Sequence, residues 1–338
     1  MTSIPQLLRG LRPLAPRPLA PRPLAPRPLA PRPLAPRPLA TIRSRARDMS
    51  ALALLATLVV AQEPMSKEPP KAKAAEPVKY LDAWPKPQNA DTLKTDIERL
   101  IKVRTPEMGV QARQALIADG ASAVPFLMDK YGKEKDPDAA RRMREVLVEI
   151  TKADQTRLLA KHFEKPSAAE RTFALWRCAA FPDKELAASA EKAFANVEKQ
   201  ADKADPEEKY AAALCVTSTG SLKGLDMLYT IAETEWGKHA VELRAALNGI
   251  RGPEPTKIIV AKLQNSDRKQ KVAVLHVLSG CGDKSAVPYV RPFLDDDDNS
   301  IRVAAINAMR GIVDGDPPVE QLSVFEAIEM AKAWKAKL

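Results

Sequence analysis

Aromatic residues are scarce in this 338-residue chain, at 5%. Strands draw on ring and β-branched side chains, so an all-β sandwich is excluded at the outset. The three cysteines, Cys178, Cys215 and Cys281, are far apart and form no Cys-x-x-Cys; their odd count and the helical packing disfavour a disulfide framework, and without Cys-x-x-Cys-His covalent c-type haem is excluded. The three histidines, His162, His239 and His276, show no His-Glu-x-x-His spacing and read as surface residues. Neither a phosphate-cradling glycine loop nor a Gly-x-Ser-x-Gly elbow occurs, so nucleotide binding and serine hydrolysis lack their usual signatures. No catalytic residue, cofactor or metal site is expected.

The excess of positive charge is confined to one end. The formal net charge is +10. Residues 1–48 hold ten arginines and a single acid, Asp48, which leaves the remainder at +1. Non-specific affinity for phosphate depends on such charge, so nucleic acid is not expected as a partner for the body of the protein.

Proline is equally local. Twelve of the 30 prolines lie in residues 1–48, where Arg-Pro-Leu-Ala-Pro repeats in five-residue steps. Proline this frequent removes amide donors and fixes φ, so the segment reads as a low-complexity, polyproline-like leader. The basic stretch Arg43-Ser-Arg-Ala-Arg47 then precedes residues 49–61, whose apolar run Ala51–Ala61 reads as the core of a secretory signal. The run is too short to span a bilayer. Met49 is an alternative start, and an organelle-targeting leader is the alternative to export into the periplasm or medium. Residues 62–90 carry six prolines and several lysines and read as a linker. Tyr80, Leu81 and Trp84 interrupt its polarity and are expected to fold back onto the first helix.

Residues 91–338 read as all-α. Thr105-Pro106, Asp136-Pro137 and Asp205-Pro206 each set a capping oxygen before a first-turn proline. Gly120, Gly132, Gly220 and Gly280 are expected at helix ends. Ile301, Ala304, Ala305, Ala308, Met309 and Ile312 fall on one helical face, as do Ala140, Met143, Leu147 and Ile150. About fourteen helical stretches group into pairs near 92–131, 136–163, 166–196, 205–232, 237–263, 266–294 and 298–337. Ala123-Val-Pro125-Phe126 returns as Ala286-Val-Pro288-Tyr289, five steps of about 33 residues later, which marks a helical solenoid.

The stretch Val274-Leu-His-Val-Leu-Ser-Gly-Cys-Gly-Asp283-Lys-Ser-Ala-Val-Pro288, followed by Asp298-Asn-Ser-Ile-Arg302, resembles a short HEAT repeat. It is similar to the kind called HEAT-like in phycobilisome lyases, with the likeness strongest over 266–313. The resemblance implies a right-handed α-α superhelix that binds a partner along its concave face and does not by itself imply an activity. In such solenoids the second helix of each pair lines that face. Its outward side chains would include Lys130, Arg157, Lys161, Lys262 and Arg291, a basic set suited to an acidic protein or peptide. The enzymes of the HEAT-like class, bilin lyases and a type of DNA glycosylase, form the alternative, as does a subunit of an envelope assembly. Two smaller features have plain readings. Asp295-Asp-Asp-Asp298 caps the following helix and lacks the ligand spacing of a calcium loop. The cysteines read as buried small hydrophobes, with a Cys178–Cys215 bridge as the alternative in an exported protein.

Overall fold

The computed structural model describes residues 77–200, 203–319 and 321–338. The leader, the apolar run and the linker up to residue 76 lie outside the described residues. Within them the chain forms fourteen α-helices and no strand. These are α1 (Ala90–Ile101), α2 (Pro106–Asp119), α3 (Val124–Tyr131), α4 (Pro137–Ile150), α5 (Thr156–Leu159), α6 (Ala168–Ala180) and α7 (Ala187–Lys199). There follow α8 (Pro206–Ser218), α9 (Leu225–Asn248), α10 (Pro253–Ala261), α11 (Arg268–Cys281), α12 (Val287–Val290), α13 (Asn299–Met309) and α14 (Val324–Lys337).

Helix starts follow local chemistry. Thr105, Asp136 and Asp205 each accept a first-turn amide through the side chain, and a proline follows each of them. Ala123 and Ala286 occupy matching places, each the N-cap residue that joins a 3₁₀ turn to a helix with proline in its first turn. The predicted face of α13 and the turn after it is buried from Ile301 through Ile312. In α4 the buried alanine is Ala139, and Ala140 sits half-exposed at the edge of the stripe.

Four features differ from the sequence reading. The region 92–131 holds three helices where one pair is expected. The break expected between 232 and 237 is one residue, Glu235 (φ −136°, ψ 22°), which kinks α9 without ending it. Gly280 is inside α11, and Gly282 is the residue that ends it. The second member of the 136–163 pair is also fragmentary, with α5 flanked by 3₁₀ turns. A tertiary bond explains part of this, because Thr156 Oγ1 donates to Ala153 O at 2.9 Å and is within 3.2 Å of Phe181 O.

Helices pack in chain order: α6 on α8, α8 on α9, α9 on α11 and α11 on α13. The C-terminal ends of α8, α9, α11 and α13 approach closely. Ser218, Gly249, Gly280 and Gly311 follow at a constant step of 31 residues. A Cβ on Gly249 would lie 2.5 Å from the Ser218 carbonyl oxygen, and one on Gly280 would lie 2.7 Å from Leu247 Cβ. Gly311 meets the Ser279 carbonyl in the same way. Arginines bind these ends across units. Arg251 donates to Gly280 O at 3.0 Å and Gly311 O at 2.7 Å, and Arg177 donates to Thr151 O at 2.7 Å. Arg142 does the same for Leu100 O and Ile101 O, at 2.9 and 2.7 Å.

The cysteines are all free and buried, so the alternative of a Cys178–Cys215 bridge is not what forms. Desolvation pushes the Cys215 and Cys281 thiols up to about 12, and they stay protonated core side chains.

The close helix ends make a testable contrast. Gly249→Val forces a side chain into the Ser218 carbonyl and should cost about 1–3 kcal/mol by overpacking. Gly237→Ala meets nothing within 4 Å and should stabilise α9 by roughly 0.5–1 kcal/mol through helix propensity. Urea unfolding of the two variants against wild type measures both.

Candidate functional site

A concavity of about 750 Å³ lies between α3, the 156–162 segment and the start of α6. Trp84 closes it from the segment that precedes α1. That segment folds back and contacts the 154–157 stretch. Leu81 N–H donates to Asp154 O at 2.8 Å, and the Tyr80 ring lies 4.1 Å from the Arg157 guanidinium. Burial and the Asp183 carboxylate hold the Tyr80 hydroxyl above its usual range.

The groove wall is built from the α6 N-terminus. Ser167 caps α6 by accepting the Glu170 amide at 3.3 Å, which places Glu170 in the first turn. Gly132 makes room for it, since a Cβ there would sit 2.7 Å from Glu170 Cγ. The buried Glu170 carboxylate then lies 3.3 Å from His162 Nδ1. Arg171 fastens the loop behind, donating to Lys165 O and Pro166 O at 2.8 Å and to both carboxylate oxygens of the buried Glu208. On the rim, Lys133 pairs with Asp129 at 2.5 Å, while Lys161 and Lys165 are exposed.

The five basic residues singled out from the sequence have different surroundings. Lys161 lines this groove, and Lys130 lines an adjoining one of about 500 Å³ that shares Pro125 and Asp129 with it. Lys130 Nζ is 3.3 Å from Glu98. Arg157 is held by Asp183 and Glu185, both at 2.7 Å. Lys262 pairs with Asp226 at 2.9 Å and sits above the Tyr229 ring. Arg291 is exposed beyond α12 and, like Lys262, lines neither groove. Trp84, Lys165 and the His162–Glu170 pair are the groove residues that the sequence reading did not assign. Only the aromatic interruption of a polar linker hinted at the first.

The acidic run is absorbed structurally. Asp298 caps α13, accepting the Ser300 amide at 2.8 Å, and its pairing with Arg268 pulls its carboxyl below the usual range. Asp295 pairs with Lys335 at 2.5 Å. Among the described residues no group of three or more His, Cys, Asp or Glu could hold a metal ion. Nor is any helix there long and apolar enough to cross a membrane.

His276 corrects the sequence reading. It stacks on Trp236 with ring centroids 4.3 Å apart and planes 6° from parallel, and it is half-buried rather than a surface side chain. Desolvation, with Arg244 nearby, holds its pKa down to about 4.

No family model, curated protein or solved structure matches this chain.

The depressed histidine sets a pH window. The unfolded chain takes up a proton near the ordinary value of 6.5, whereas folded His276 resists one until about 4. Its contribution is therefore intact above 6.5 and lost as pH falls from there to about 4. His276→Phe keeps a ring against Trp236 without the proton site. Urea unfolding across this window should show wild type losing roughly 2–3 kcal/mol more than the variant.

Proposed function

We propose that the protein is an exported, non-enzymatic scaffold built on a HEAT-like right-handed solenoid, and that it holds a protein or peptide partner. The observation that carries this reading is the chain-ordered packing of α6, α8, α9, α11 and α13, with each helix set against its neighbours in sequence. A stack of this kind offers a long surface and needs no reacting group. Export rests on the basic stretch 43–47 and the apolar run 51–61. A place within a larger envelope assembly is compatible with it.

The basic surface contributes less than its lysine and arginine content suggests. Three of the five candidate residues already face carboxylates, so recognition falls mainly to cations outside such pairs.

Full-length protein recovered from its native host tests the reading. It should retain a defined protein partner that raised salt releases. It should carry no pigment absorbance and release no base from damaged DNA. Bound bilin or glycosylase turnover would overturn the scaffold in favour of an enzyme.

A further inference from the structure

We propose that the groove under Trp84 takes an extended acidic peptide, its apolar side chains on the groove floor and its carboxylates against Lys161 and Lys165. This deepens the scaffold reading and rests on it.

The floor is apolar, made of the half-buried Trp84 ring, Pro125 and the buried Leu158 side chain, with the exposed Pro166 at its edge. The rim carries three lysines, and their surroundings differ. Lys133 is neutralised by Asp129. The ammonium groups of Lys161 and Lys165 have no carboxylate partner among the described residues. Other lysines are taken up by ion pairs between units, such as Lys192–Glu164 at 2.6 Å and Lys223–Glu191 at 2.5 Å. Two unpaired lysines over an apolar floor therefore give the groove a charge that the ligand must complement.

Shape favours an extended ligand. The groove adjoins the second one across Pro125 and Asp129, where Phe126 and Ile97 continue the apolar surface. A chain lying across Pro125 could set side chains in both. The walls also discriminate. Asp129 and the buried Glu170 stand beside the lysines, so a uniformly charged polyphosphate would meet repulsion that a peptide with spaced carboxylates avoids.

Fluorescence anisotropy with the full chain tests this, using a labelled peptide of alternating Glu and Leu. The competitors are an alternating Lys and Leu peptide and single-stranded oligothymidine. The Glu and Leu peptide should bind saturably and more tightly than either competitor. Lys161→Glu with Lys165→Glu should weaken it about tenfold or more, since both sites are exposed and reverse the rim charge. Trp84→Ala should weaken it as well, and Arg291→Glu should leave it unchanged, with helicity checked by circular dichroism throughout. The groove assignment is overturned if the peptide fails to bind, if a competitor binds more tightly, or if the double lysine variant binds like wild type. If the native partner is retained by that double variant, the scaffold survives and only the groove is lost. If wild type retains no partner either, the scaffold reading falls with it.

Discussion

The structure depends on how closely the ends of successive helices approach one another. Between α8, α9, α11 and the turn after α13, the approach leaves no space for a side chain at Gly249, Gly280 or Gly311. Helices this close bury alanine, valine and leucine without large voids, and α8 and α11 are accordingly buried along most of their length. Closeness also brings unpaired terminal carbonyls of neighbouring helices within one guanidinium's reach. Arg251 bridges the ends of α11 and α13 in this way. The two features are coupled, because a wider spacing would leave those carbonyls without their arginine.

Charge follows the same logic. The body is nearly neutral by count, and in space much of that neutrality is pairwise between units. Lys130 reaches Glu98, Lys192 reaches Glu164, Lys223 reaches Glu191 and Lys262 reaches Asp226, each some 30 residues back along the chain. Individually such exposed pairs contribute little to stability. Together they join neighbouring units, and they occupy these four lysines. What is left for a partner is where pairing is incomplete, and the groove under Trp84 is such a place.

Much of this was legible in the sequence, and the reasons it stopped are physical. Helix starts are local: an Asp or Thr followed by proline carries its own capping chemistry, so Thr105, Asp136 and Asp205 are identifiable, as is Asp298 at the end of its acidic run. Burial of the α13 face follows from its period alone. His276 was misplaced because its helix wheel turns it outward, and the ring that covers it arrives from α9 just past the Glu235 kink. The groove was hidden for the same kind of reason. Trp84, Gly132, His162 and Glu170 are spread over nearly ninety residues, and only tertiary packing joins them. Lys130, Arg157 and Lys262 were readable as basic, but their carboxylate partners lie on other helices.

The central claim is that each helix pair is stabilised mainly by its immediate neighbours. Native-state hydrogen exchange on Leu278→Ala tests it most directly, since Leu278 is fully buried in α11. The cavity should cost about 2–5 kcal/mol. The account predicts faster exchange in α9 beyond Glu235, in α11 and in α13, with α1 through α4 unchanged. An equal loss of protection from α1 to α14 would contradict it and indicate a single cooperative core.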